Sequence, residues 1–179
     1  EIDGVIPTPE WKEKNFKGDI WRVGDTYNTS IGQYGFQVTP VQMARATAGL
    51  ARKGVLVTPT ILKTNQTETT PARVVEGIKD DAYSVVLQGM RKVVTEGTAQ
   101  LLNVPYVKVA GKTGTAQVGI SKQNVNSWIV GYFPYESPRY AFALLMDYAP
   151  KDTTISASRV MRGVLDYMKN EKKEYFESF

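Results

Sequence analysis

The chain contains neither cysteine nor histidine. These absences exclude disulfides, thiol nucleophiles, zinc sites built on Cys or His, and any Ser–His–Asp triad. If the chain takes part in acid–base chemistry, the base is a lysine or a carboxylate, or it lies elsewhere. Long apolar runs are missing too. The longest strictly apolar stretch, Ala141–Met146, is far short of the ~20 residues of a membrane helix. The opening Glu1-Ile2-Asp3-Gly4 lacks the charged-then-apolar pattern of a signal segment, which says nothing about a longer parent chain. Charge of one sign is scarce. A net charge of +4 with no basic block gives no reason to expect nucleic acid as a partner.

What remains is an ordinary globular composition: 179 residues, 42% apolar and 22% charged, with 15 glycines and 9 prolines. A domain of this size buries about 70% of its unfolded surface, so it needs no staples. Residues 1–36 show no sustained period and read as loop and short turns. Thr39-Pro40 then opens an Ala-rich helix that runs to Lys53, where Gly54 supplies a left-handed cap. Val55–Leu62 reads as extended chain broken by Pro59, and Thr64–Pro71 as a polar loop.

Asp80 or Asp81 caps a second helix that reaches about Glu96, with Val86, Met90, Val93 and Val94 at core spacing and Gly97 as its stop. Gly97-Thr98-Ala99-Gln100 begins a short helix or turn. Three strands follow, at about Tyr106–Val118 (interrupted at Gly111), Ser127–Phe133 and Arg139–Tyr148, with a turn at Gly119–Asn126. Thr154–Lys169 carries Met161, Val164, Leu165 and Met168 on one helical face. The charged tail Asn170–Phe179 is expected to fray unless its aromatics dock. Helices, an antiparallel meander and a returning helix define an α+β fold.

The string that carries chemistry is Ala110-Gly111-Lys112-Thr113-Gly114-Thr115-Ala116. A phosphate-binding loop is excluded, because Tyr106 stands where its first glycine belongs and a β-branched segment stands where its helix belongs. Lys-Thr-Gly on a strand is one of three motifs of the serine penicillin-recognising enzymes. The chemistry is coherent. Lys112 offers positive potential to a carboxylate. Thr113 and Thr115 share one face, where both hydroxyls can bind it. Gly114 lets a substrate backbone lie against the strand, and the Thr115 N–H can face a developing oxyanion. Of two glutamines able to touch substrate, Gln33 and Gln117, the second is counted with this site. The Thr39–Lys53 helix and the Trp128–Phe133 aromatics read as packing instead.

Gly24-Asp25-Thr26-Tyr27-Asn28-Thr29-Ser30-Ile31-Gly32-Gln33, Val38-Thr39-Pro40-Val41-Gln42-Met43-Ala44 and Ser127-Trp128-Ile129-Val130-Gly131-Tyr132-Phe133-Pro134, together with Lys-Thr-Gly-Thr-Ala-Gln, resemble the class B penicillin-binding proteins. The opening Gly4-Val5-Ile6-Pro7-Thr8-Pro9-Glu10-Trp11-Lys12 resembles their elongation branch. Two positions depart from the pattern: Gly32-Gln33-Tyr34-Gly35 replaces Gly-Gln-Gly, and Asn126 stands where many relatives carry histidine.

The resemblance implies a penicillin-recognising fold, here the C-terminal portion (1–179) of a single transpeptidase domain. Neither Ser-x-x-Lys nor Ser-x-Asn occurs in the chain, so the nucleophile, its base and the middle motif are expected upstream. This chain alone is expected to be inactive. The implied catalytic residues are Lys112, Thr113, Gly114 and Thr115, with Thr113, Thr115 and Gln117 binding substrate; no metal or cofactor is required. The implied partners are a peptidoglycan stem peptide, β-lactams, cell-elongation membrane proteins and the N-terminal remainder of the same protein. The implied location is the periplasmic face of a bacterial inner membrane, reached through an anchor outside this chain. A β-lactam-sensing or β-lactamase domain, and a non-catalytic partner-binding relative, are the alternatives.

Overall fold

The computed structural model describes residues 3–62, 73–119 and 123–176, and the chain divides into two compact units, Glu1–Thr39 and Pro40–Phe179. The first unit corrects the expectation of loop and turns. It contains α1 (Pro9–Asn15) and α2 (Val23–Ser30). The Thr8 hydroxyl accepts from the Trp11 N–H at 3.1 Å, and Pro9 occupies a position where its missing donor costs nothing. The Asp25 carboxylate reaches back to the Arg22 N–H at 2.7 Å to start α2. Val5 and Gln37 exchange two backbone hydrogen bonds, of 2.8 and 3.0 Å, and close the unit's ends.

The centre of this unit is ionic and aromatic rather than aliphatic, which is why no apolar period announced its helices. Lys12 is 1% exposed. Its ammonium donates to Asp25 at 2.7 Å and to the Ile20 carbonyl at 2.8 Å, with Asp19 at 3.0 Å. Trp11 meets Phe16 and Tyr34 edge-on. Gly35, at φ 72°, lies where a side chain would press into the Trp11 ring.

In the second unit α3 runs Pro40–Ala51, followed by Lys53 and Gly54, both in the left-handed region. The expected extended run from Val55 shrinks to β1 (Val55–Leu56), paired antiparallel with β2 (Arg73–Val74); Pro59 has no N–H to extend a ladder. The expected loop Thr64–Pro71 lies outside the described residues. α4 covers Asp80–Thr95 with Lys79, not an aspartate, at its cap; Asp80 and Asp81 occupy the first turn instead, where carboxylates suit the helix dipole.

The main sheet is β3 (Ala110–Val118), β4 (Asn124–Phe133) and β5 (Tyr140–Pro150), antiparallel in that order. The expected interruption at Gly111 does not occur. β3 starts later than expected because Tyr106–Val109 is engaged otherwise: the Lys108 and Val109 carbonyls accept from the Tyr135 N–H and the Arg91 guanidinium. α5 (Ala157–Glu171) is capped by the Ser156 hydroxyl and buries Ala157, Met161 and Leu165 against Val94, Leu102, Val109, Ile129 and Phe133. The tail docks: Phe176 stacks on Phe133 at 5.9 Å and meets Tyr106 edge-on, and Tyr175 meets Tyr140. The result is the expected α+β architecture.

Candidate active site

β3 has β4 on one side and, among the described residues, no strand on the other. An edge strand turns the N–H and C=O of alternate residues outward. The register fixes which side chains share a face, because directly opposed residues project together. Thr113 opposes Ile129, Thr115 opposes Ser127 and Gln117 opposes Val125, so these three form one row on the face packed by α5. Lys112 and Gly114 oppose Val130 and Trp128 and belong to the other face. The threonines therefore share a face, as alternation predicts, and the lysine reaches them only at the strand edge. There its ammonium donates to the Thr113 carbonyl at 2.6 Å. Thr115, two residues on, directs its backbone groups as Thr113 does.

The Thr113 hydroxyl lies 2.6 Å from the Thr98 hydroxyl. Thr98 was legible only as a turn residue after Gly97, since a fifteen-residue separation across a helix end encodes no distance. On the lysine face, Met43 and Leu50 of α3, Val86, Met90 and Val93 of α4, and Lys112 itself border an open apolar groove of about 360 Å³. Val86 and Val93 stand at core spacing in the sequence, yet Val86 is 45% exposed here. Gly114 has ordinary room: an added Cβ would meet nothing closer than Trp128 Cβ at 3.5 Å.

Other residues singled out in the sequence make contacts of their own. Asn126 occupies the β4 irregularity between Val125 and Ser127, where its side-chain oxygen accepts from the Tyr148 N–H at 2.8 Å and repairs the ladder. The Ser127 hydroxyl accepts from the Ala157 N–H at 3.1 Å and ties β4 to the start of α5. Gln33 belongs to the first unit, where its backbone N–H donates to the Asn28 carbonyl. No group of acidic side chains able to hold a metal occurs among the described residues, and no helix among them is long and apolar enough to cross a membrane.

Comparison with known proteins matches these features to one family. The model of the penicillin binding protein transpeptidase domain matches residues 1–166. Peptidoglycan D,D-transpeptidase MrdA of Haemophilus influenzae is 30% identical over 208 aligned residues, covering 100% of this chain and 31% of that protein. MrdA of Acinetobacter baumannii is 31% identical, covering 93% of this chain and 27% of that protein. The crystal structure of Pseudomonas aeruginosa PBP2 in complex with WCK 5153 superposes with a TM-score of 0.76 at 31% identity, over 96% of this chain and 38% of that one. PBP2 in its complex with MreC from Helicobacter pylori gives 0.75 at 31% identity, over 98% of this chain and 32% of that one. The chain thus spans less than a third of the length of these curated relatives. With the transpeptidase model matching nearly its whole length, the chain belongs to the penicillin-binding protein transpeptidase family.

Proposed function

We propose that this chain is the C-terminal portion of a peptidoglycan D,D-transpeptidase of the penicillin-binding protein 2 type, and that Lys112–Thr115 forms one wall of its active site. The observation that carries the reading is the exposed edge of β3. Lys112 brings its ammonium to that edge beside the outward Thr113 carbonyl, and Gly114 is spare of contacts that would require a glycine. In the complete protein a serine upstream of Glu1 attacks the carbonyl carbon of a D-Ala-D-Ala amide. The C–N bond breaks and D-alanine leaves with the proton. The acyl group then passes from the serine ester to an amine of a neighbouring stem peptide. Lys112 supplies positive potential for the donor's carboxylate, Thr113 and Thr115 its hydroxyl donors, and the Thr115 N–H half of the oxyanion site; Gln117 extends the same row toward the peptide.

The groove beside Lys112 supports the place of the missing segment. It is apolar, it adjoins the lysine, and the nucleophile must come within bonding reach of an acyl carbon held at this edge. We assign it to the upstream part of the same domain. β-Lactams acylate the same serine by opening their strained amide. The similarity to an H. pylori protein solved with MreC, and to a component of a peptidoglycan synthase complex, supports assembly with wall-elongation membrane proteins at the periplasmic face of the inner membrane.

Labelling with fluorescent penicillin tests the reading. The full-length protein labels stoichiometrically and the isolated 179-residue chain does not. In the full-length protein, Lys112→Ala slows acylation by ~10²-fold or more, the size of a lost preorganised electrostatic contact, without lowering the melting temperature. Acylation at the wild-type rate would return Lys112 to an ordinary solvated charge. Rapid turnover of the acyl-enzyme would indicate a β-lactamase instead.

A further inference from the structure

Thr98 is placed by the turn that ends α4. A Cβ on Gly97 would lie 2.8 Å from Val93 Cα, so glycine lets the backbone fold back on the helix. The Ala99 N–H then donates to the Val93 carbonyl at 3.0 Å, and Ala99 itself is fully buried. Held on both sides, Thr98 presents its hydroxyl 2.6 Å from that of Thr113.

We propose that Thr98 is a positioning residue that sets the donor direction of the Thr113 hydroxyl toward an anionic acyl donor. The inference rests on the function proposed for the Lys112–Thr115 edge. A hydroxyl has one proton and two lone pairs. If Thr113 donates to Thr98, it meets a carboxylate with lone pairs only, which repels it. If Thr98 donates, the Thr113 proton is left for the carboxylate. The anion selects the second arrangement, and the two bonds in series polarise each other. Lys112 and Thr113 then both act as donors at neighbouring positions, the ammonium through charge and the hydroxyl through direction. Thr98 touches no ligand in this scheme; by donating to a Thr113 lone pair it orients and polarises the proton that Thr113 gives the anion.

The test compares acylation of the full-length protein by a penicillin and by its methyl ester, which lacks the negative charge. Thr98→Val keeps the shape and removes the hydroxyl. It slows the free acid about tenfold, as expected for one lost hydrogen bond. The ester stays within about twofold, as for a surface substitution without other effect. The acid-to-ester ratio therefore falls, and Thr98→Ser restores it to within about threefold. Equal slowing of acid and ester, an unmoved ratio, or a serine variant as poor as valine each overturns the proposal. Should Thr98→Val fold poorly, Thr98→Ala carries the same comparison without β-branched bulk. A wild-type protein that penicillin does not acylate overturns the transpeptidase reading together with this one. Normal wild-type acylation with an unmoved ratio overturns the role of Thr98 alone.

Discussion

A Cβ placed on Gly131 would sit 2.4 Å from the Ala110 carbonyl oxygen and 2.5 Å from the Phe142 ring, and one on Gly111 would sit 3.0 Å from the Val130 carbonyl oxygen. These two glycines oppose each other across β3 and β4, so their small size serves the packing of the sheet. Gly114 differs, because its surroundings within this chain would accept a side chain. β-Branched residues also suit a strand. Gly114→Val in the full-length protein is therefore expected to melt within a few degrees of wild type. Its acylation by penicillin should fall by ~10²-fold, the scale set by displacing a bound reactant by about an ångström. Gly131→Ala should do the opposite, lowering stability by roughly 1–3 kcal/mol through overpacking. Thermal melts and acylation rates on the same samples check both. Loss of folding in Gly114→Val would make that glycine a packing residue like its neighbours.

α1 and α2 show why part of the fold was hard to read. Thr8-Pro9 is a written start signal, but Lys12, Asp19 and Asp25 look in a sequence like solvated charges rather than the centre of a unit. α3, α4 and α5 were legible because proline, glycine and three-and-four spacing mark them. The cluster also predicts a pH response. Lys12 donates to Asp25 and lies beside Asp19, and these contacts, joined by Arg22, hold both carboxylates below their ordinary range. Burial opposes the charge on Lys12, yet the two carboxylates outweigh it and raise its pKa above the ordinary lysine range. A lowered carboxylate stabilises the fold above its unfolded value and loses that contribution as pH falls through the folded value. A raised lysine contributes fully below its unfolded value and loses the contribution only as pH climbs through the folded one. The Val5 and Gln37 amides should therefore keep constant protection, corrected for intrinsic exchange, across neutral pH and lose it below about pH 4. Lys12→Met should abolish the plateau, leaving the Ile129 amide of the second unit protected, whereas Lys14→Met should change neither. Protection that survives Lys12→Met would show that the aromatic contacts of Trp11 and Tyr34 suffice.

For the molecule as a whole, the site divides into what a local string can state and what only the fold brings together. Lys112–Thr115 was legible because four consecutive residues on a strand determine their own alternation. The Thr98–Thr113 pair was not, and neither was the groove, whose borders come from α3, α4 and the sheet. Val86 has the spacing of a core residue and the exposure of a surface one, a conflict that resolves if its partner belongs to the upstream part of the domain. Val86→Glu tests that resolution. In the isolated chain a glutamate at a half-exposed helical position should shift stability by no more than about 0.5 kcal/mol. In the full-length protein the same carboxylate would be desolvated against apolar side chains, at a cost of several kcal/mol that the Lys112 ammonium at the groove's border offsets only in part. The melting temperature should then stay level in the isolated chain and drop in the complete protein, together with penicillin labelling. An equal shift in both proteins would mean that the groove stays open in the complete protein, and that the nucleophile approaches the β3 edge from another side.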